Sequence, residues 1–269
     1  GCGGPGGRGA ATCPEDQPED TMSAVEIALL VAGGLIAGIV NAFAGGGSFL
    51  TFPLLMAVGL PPQVANATNR VAIVLQCTAG SATYHRHGVF PWRPLPWFAI
   101  PMVIGAVPGA MLASHLDESS FRRVSAFLLV AMISTIFIDS KKWTREKPES
   151  GRFHWWHAPV FVLVGVYGGF LQAGIGPIML GLLVLTAGFD VVRGNAIRFG
   201  LAGIFNLAAL LLFASQGQVN WLAGAILAVG NTAGGVIGAH LVVRRGTRWV
   251  RYVVLASGLA AVAKLLLGG

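Results

Sequence analysis

Charged side chains are scarce in this sequence, where they make up 11% of 269 residues, compared with about 25% in soluble domains. So few charges cannot cover a folded core with a water-compatible surface, which excludes an ordinary soluble domain. Acidic residues are the scarcer kind, 11 against 18 basic ones, and the long apolar stretches hold almost none of them. The sequence therefore offers no obvious relay of carboxylates through a membrane interior, as proton-driven carriers use.

Cysteine is also rare, and its spacing excludes further classes. The three cysteines suggest neither a disulfide framework nor a metal site, and we expect no metal or other cofactor. The surplus of basic residues raises the alternative of nucleic-acid binding. These residues lie in short loops between apolar stretches, however, where Lys and Arg are retained on the cytoplasmic side. The expected partner is therefore a lipid bilayer and not a nucleic acid, while the oligomeric state is left open.

Long apolar stretches make up most of the chain. Most are close to the ~20 residues that cross a bilayer core as a helix, and the 38 glycines suit close helix packing in lipid. We predict an all-α, polytopic membrane protein with about eight full spans plus short half-helices. The stretches cover about residues 24–60, 64–84, 94–115, 121–138, 156–188, 194–214, 219–243 and 249–267.

Two of these stretches are interrupted by glycine-rich breaks. The breaks consist of Gly45, Gly46, Gly47 and Ser48 in the first stretch, and Gly174, Gly176 and Pro177 in the second. Lipid cannot satisfy the backbone groups that a break frees, so these groups must face protein or a water-filled cavity. A helix that begins after a break turns its amides and positive dipole end toward that cavity, an arrangement that binds anions. The alternative is that the glycines only permit close helix crossing.

An ungapped internal repeat relates the two breaks at a spacing of 129 residues, pairing Gly45 with Gly174 and Trp92 with Trp221. Paired breaks at matching positions of two halves indicate the binding site of a secondary transporter. We divide the chain into a disordered polar tail (1–21), a first transmembrane repeat (22–139), a basic linker (140–155) and a second transmembrane repeat (156–269). Because the sequence does not begin with Met, we expect that either the native start is Met22, which directly precedes the first apolar stretch, or an upstream piece is missing.

The basic residues bear on whether the repeats are parallel or inverted. If each break only interrupts a helix, each half crosses four times and the basic residues divide almost evenly between the two sides. If the chain instead reverses at each break, most basic residues share one side. The positive-inside rule favours the second layout. We therefore predict inverted repeats in the cytoplasmic membrane, with both termini outside.

A second group of polar residues follows each break. Its members are Asn66, Thr68, Asn69 and Arg70 in the first half, and Asn195 and Arg198 in the second. An arginine within an apolar span is costly and usually faces a cavity or a partner. Neither arginine has an acidic residue within a helical turn, so the expected partner is an anionic ligand or a helix C-terminus. Snorkelling to the membrane interface is the alternative.

The first break and the Ala-Asn-Ala-Thr-Asn-Arg segment that follows it resemble the sulfite exporter TauE/SafE family. The family motif falls on Gly45, Gly46, Gly47, Pro53, Ala67, Thr68 and Asn69. This resemblance covers nearly all of residues 24–267 and implies a multi-pass membrane transporter of small anions such as sulfite, sulfoacetate or organosulfonates. The second half has Leu182 in place of Pro53 and Ile197 in place of Thr68. We therefore expect the two breaks to form one asymmetric anion site.

The sequence favours an anion exporter or permease, and we expect the protein not to be an enzyme. Two other function classes compete with this interpretation. An intramembrane hydrolase would use Ser48 as nucleophile and His240 as base. Against it, the repeat counterpart of Ser48 is Pro177, and no acid is placed to orient the histidine. A membrane scaffold without transport activity is the third class, but it would not need broken helices in both halves.

Overall fold

The computed structural model describes residues 22–136 and 151–245, and these residues form helices and no strand. The helices are α1 (Ala24–Ala44), α2 (Ser48–Ala57), α3 (Pro62–Arg86), α4 (Leu95–His115), α5 (Glu118–Ile136), α6 (His157–Phe170), α7 (Ile175–Leu185), α8 (Val191–Ser215) and α9 (Trp221–Arg245). The polar tail at 1–21, most of the basic linker and the last predicted apolar stretch lie outside the described residues.

Four of the described helices are long and apolar enough to cross a membrane. They cover Ala24–Phe43, Leu95–His115, Val191–Ser215 and Trp221–Arg244. The prediction of a helical membrane protein is thereby confirmed, whereas the described residues supply fewer such helices than the eight expected. Helix α6 has 14 residues and is about 21 Å long, which is too short for a hydrocarbon core of ~30 Å.

The first break ends α1 and turns the chain back. Gly45 adopts a left-handed conformation with φ of 72°, and its amide donates to the Asn41 carbonyl. Helix α2 then runs back alongside α1, because Leu54 packs on Gly33: a methyl group added at Gly33 would come within 2.4 Å of the Leu54 side chain. The break therefore joins a long helix to a short one of 10 residues that packs against it.

The second break separates α6 from α7 through a short irregular segment. Gln172 and Gly174 both have positive φ, at 67° and 79°. The Tyr167 hydroxyl donates to the Ala173 carbonyl and ties this segment to the last turns of α6. Helix α7 has 11 residues, so each break is followed by a helix of similar length.

Helices α1 and α9 pack with their backbones in contact. A methyl group added at Gly34 would lie 2.8 Å from the Leu227 carbonyl oxygen, and one at Gly38 would lie 2.3 Å from that of Asn231. Glycine is needed at both positions because a carbonyl oxygen occupies the space of a side chain. Since the contacts advance along both helices together, α1 and α9 run parallel.

Helices α6 and α4 form the equivalent pair. Here the first helix of the second half, α6, packs on a long helix of the first half, α4. A methyl group added at Gly105 would lie 2.0 Å from the Val162 carbonyl oxygen, and one at Gly109 would lie 2.1 Å from that of Val166. These helices also run parallel. The first helix of each half thus packs on the corresponding long helix of the other half.

Helices α3 and α8 cross the centre of the structure in opposite directions. Arg70, in the first half of α3, hydrogen-bonds to Asn206 in the second half of α8. Tyr84, near the end of α3, accepts a hydrogen bond from Asn195 near the start of α8. These two helices, which follow the two breaks in sequence, bring the polar residues of both halves together.

Candidate functional site

The two glycine breaks touch each other. A methyl group added at Gly45 would lie 2.3 Å from Gly176 Cα, and one added at Gly176 would lie 2.2 Å from Gly45 Cα. The contact lies near the middle of α3, because Asn41 of the last turn of α1 donates to Gln76 over 2.7 Å. The two breaks and the middle of α3 are therefore neighbours in the structure although they are far apart in sequence.

A cavity of about 20 Å³ lies between the breaks. This volume holds about one water molecule, so an anion of several heavy atoms fits only when the breaks move apart. Four of the residues predicted from the sequence line the cavity, namely Gly45, Ser48, Gly176 and Arg198. Asn41, Gln172 and Asn206 add polar groups to the same wall.

The first turns of α2 and α7 supply free amides beside this cavity. In α2 the first helical amide with a backbone acceptor is that of Phe49, which donates to the Gly46 carbonyl. Among the described residues, no backbone acceptor meets the amides of Ser48 and Gly176. The positive dipole ends of two half-helices are thus located at one cavity, an arrangement that favours an anion.

Arg198 lies between the cavity and the end of α1. Its Nε donates to Asn195 Oδ1 over 2.7 Å, and its Nη2 donates to the Asn41 carbonyl over 2.8 Å. Its Nη1 lies on the Gly45 side, where an added methyl group would come within 2.7 Å of it. The guanidinium therefore binds the C-terminal carbonyls of α1 while also lining the cavity.

Arg70 makes the matching contacts at the end of α6. Its Nη2 donates to the carbonyls of Gly168 and Gly169 over 3.2 and 2.5 Å, and its Nη1 donates to Asn206 over 3.0 Å. The side chain is fully buried. Its Nε has no acceptor in the described part of the chain. Each arginine thus hydrogen-bonds to the helix that ends at the break of the other half: Arg70 binds α6, and Arg198 binds α1.

Asn66 and Asn195 hold the same two helix ends. Asn66 Nδ2 donates to the Phe170 carbonyl over 2.9 Å, and Asn195 Nδ2 donates to the Ala42 carbonyl over 2.6 Å. The side-chain amides of these two predicted residues therefore bind carbonyls at the ends of α6 and α1. Both side chains are buried, and neither is among the residues that line the cavity.

The other residues predicted for the first half have mixed surroundings. Thr68 Oγ1 accepts from the Asn220 amide over 3.0 Å, which joins α3 to the start of α9. Asn69 is buried, and within the described residues its Oδ1 has no partner. Gly47 packs tightly on Ala37, whereas Gly46 has room for a methyl group, with the nearest atom 3.6 Å away.

Gln172 and Asn41 belong to the site although the sequence prediction left them out. Gln172 is 3% exposed and donates from Nε2 to Ser48 Oγ over 3.2 Å, so it joins the two breaks directly. Its Oε1 is buried and lacks a partner in the described ranges. Both residues are polar amides next to a glycine break, and that sequence signal could have found them.

The site carries positive charge without acidic side chains around it. The acidic residues in the described ranges are Glu26, Asp117, Glu118 and Asp190, all at or near helix starts. At the cavity, the charge of Arg198 is partly compensated by the C-terminus of α1, which carries about half a negative charge. The N-termini of α2 and α7 each add about half a positive charge, which leaves a net positive charge. An anion between the breaks would balance it.

Ser48 and His240 are not brought together as a hydrolase would require. Ser48 accepts a hydrogen bond from Gln172 at the cavity. His240 lies near the end of α9, where its Nδ1 is 3.0 Å from Nε2 of His87. The described residues also contain no cluster of metal-binding side chains.

Comparisons with known proteins point to membrane transport. The family described as "Sulfite exporter TauE/SafE" matches residues 30–265. A probable membrane transporter protein from Haemophilus influenzae is 26% identical over 89% of this chain and 94% of its own length. Probable membrane transporter protein YfcA from Escherichia coli is 26% identical over 91% of both chains. The Bacillus subtilis protein YjnA, of the same description, is 25% identical over 87% of this chain and 99% of its own. No solved structure matches significantly.

Proposed function

Because the chain belongs to the sulfite exporter TauE/SafE family, we propose that it exports or otherwise carries small anions across the cell membrane. The substrates in this proposal are sulfite, sulfoacetate or related organosulfonates. The relatives are named as membrane transporters without a substrate, so the argument for an anion rests on the chemistry of the site.

The observation that carries the proposal is the contact between the two breaks, where the buried Arg198 and two helix N-termini lie at one cavity. A buried charge is stable only with a partner, and the described residues near Arg198 include no carboxylate. The site therefore attracts an anion and disfavours a cation.

In this proposal the anion binds directly to one face of the cavity. Arg198 Nη1, the Ser48 hydroxyl and the amides at the starts of α2 and α7 are the donors, with Gly45, Gly47, Gly174 and Gly176 allowing close approach. Arg70, Asn66 and Asn195 position the broken helices. Thr68 and Asn69 lie on α3 between Asn66 and Arg70, and Thr68 joins α3 to α9. Gln172 joins the set through its contact with Ser48.

The small cavity indicates how transport would proceed. About 20 Å³ is too small for sulfite, so substrate enters when Gly45 and Gly176 separate. Arg198 donates a hydrogen bond to a carbonyl at the end of α1, and Arg70 donates to one at the end of α6. We infer that each broken helix therefore moves together with the central helix of the opposite half.

We also propose that the halves are inverted repeats in the cytoplasmic membrane. The antiparallel run of α3 and α8 and the exchanged pairs α1–α9 and α4–α6 support a two-fold relation. In this proposal eight segments cross the membrane, and α2 and α7 are half-helices. Helix α6 counts as one of the eight although it has only 14 residues. The end that carries Arg86, Arg93 and Arg244 then faces the cytoplasm, with both termini outside.

Liposome flux tests the transport proposal. We expect wild-type protein to carry sulfite and at least one organosulfonate, and Arg198→Gln to lower kcat/KM by about 10- to 100-fold because a charge-assisted hydrogen bond is lost. Arg123→Gln changes an exposed arginine of α5 and serves as the matched control.

Two further measurements keep the result decisive. Ser48→Ala, a smaller change, is expected to lower flux by about 2- to 10-fold through loss of a neutral hydrogen bond, and gel filtration verifies that each variant is folded. Absence of anion flux in the wild type would overturn the transport proposal. Hydrolysis that is lost only in Ser48→Ala would support an enzyme instead.

A further inference from the structure

A second and larger cavity lies at the end of α3, away from the two breaks. Its volume is about 390 Å³, within the range of about 300–1,000 Å³ that small-molecule sites occupy. We call it the α3–α9 cleft, and the lining residues that matter here are Arg86, His87, Val236, Ile237, His240 and Leu241. None of them lines the cavity between the breaks.

The polar rim of the α3–α9 cleft offers hydrogen-bond donors. Arg86 is exposed, and in the described part of the chain no acidic side chain pairs with it. His87 Nε2 lies 3.0 Å from His240 Nδ1, so one ring donates a hydrogen bond to the other. The outer ring nitrogens of the pair meet no other side chain among the described residues. A ligand that accepts hydrogen bonds and carries negative charge therefore fits this rim.

The wall of the cleft is apolar and faces outward. Val236 and Ile237 on α9 are 37% and 46% exposed, on a helix able to cross the membrane. Side chains exposed on such a helix contact lipid chains. The cleft thus combines an apolar wall at hydrocarbon depth with a basic rim at the helix ends.

The level of the rim matches that of lipid headgroups. Helix α3 ends at Arg86 and α9 ends at Arg245, and Arg93 precedes α4 at the same end of the molecule. Basic pockets between transmembrane helices bind the headgroups of anionic lipids. We propose that the α3–α9 cleft binds an anionic phospholipid, with its phosphate on Arg86 and His87 and an acyl chain along Val236 and Ile237.

Native mass spectrometry of the detergent-purified protein tests this site, with phosphatidylglycerol and phosphatidylcholine as probes. The wild-type protein is expected to retain phosphatidylglycerol in preference to phosphatidylcholine. Arg86→Gln should weaken that binding about fivefold, the effect of removing one basic contact. Ile237→Trp should weaken it also, because the larger ring fills the apolar wall. Arg123→Gln, at the opposite end of the molecule, is the control and should retain the lipid.

Several outcomes would overturn the lipid site. Equal retention of the two lipids, or an equal loss in Arg86→Gln and Arg123→Gln, would show that the cleft does not recognise the headgroup. Displacement of the lipid by inorganic phosphate alone would identify a free-anion site. A change of oligomeric state in Ile237→Trp, with lipid retention unchanged, would identify an interface between two copies of the chain.

Discussion

Gln172 tests whether the two breaks form one anion site. Its amide bonds to Ser48 at the cavity wall that Arg198 also lines. In Gln172→Glu a carboxylate would take the place of the substrate beside Arg198, so we expect anion flux to fall at least about tenfold. Gln172→Met has a side chain of similar size without the negative charge of the glutamate, so its anion flux should fall less than that of Gln172→Glu. Equal flux in the two variants would place the anion elsewhere.

Arg70 and Arg198 are expected to differ in function although their contacts match. Arg70 is away from the cavity and binds two carbonyls of α6 and Asn206. Arg70→Lys should therefore lower the free energy of unfolding by about 2 kcal/mol through lost charge-assisted bonds, with KM nearly unchanged. Arg198→Lys should raise KM. Thermal unfolding and flux kinetics separate the two effects, and a raised KM in Arg70→Lys would assign Arg70 to the anion.

At the level of helices, the break glycines are not equivalent. Gly45 has a positive φ and touches Gly176, whereas Gly46 has room for a methyl group. Gly45→Ala and Gly176→Ala should abolish flux because each methyl group would overlap the opposite break. Gly46→Ala should keep flux within about twofold, since a surplus methyl group in open space changes stability little. Loss of flux in Gly46→Ala alone would contradict the close contact of the breaks.

The sequence predicted the broken helices and the buried arginines but not how they pair. Arg70 and Arg198 are 128 residues apart, and they bind the carbonyls of Gly168 and Asn41, which are 127 residues apart. The repeat spacing of 129 aligns Arg70 with Phe199 instead. Asn66 and Asn195 lie after the breaks and keep the spacing of 129, so the offset of one residue arises within α3 and α8. Sequence alignment alone therefore misses the equivalence of the two arginines.

For the whole molecule, the helix directions support the proposal that one repeat is inverted relative to the other. Helices α1, α3 and α9 run one way, and α4, α6 and α8 run the other, as the glycine contacts and the α3–α8 hydrogen bonds require. Corresponding helices of the two halves thus oppose each other. In the inverted-repeat layout that we propose, the two half-helix N-termini approach one another from opposite sides of the membrane, so that a single site could be opened to either side.

The opposite directions give a topology test with positions matched by the repeat. His87 and Gln216 are 129 residues apart, follow α3 and α8, and are both exposed. In a cysteine-free background, we expect a membrane-impermeant maleimide to label Gln216→Cys in intact cells and His87→Cys only after permeabilisation. Parallel repeats would give both positions the same accessibility, because equivalent loops would then lie on one side. Labelling of His87→Cys alone in intact cells would keep the inversion and reverse the proposed orientation.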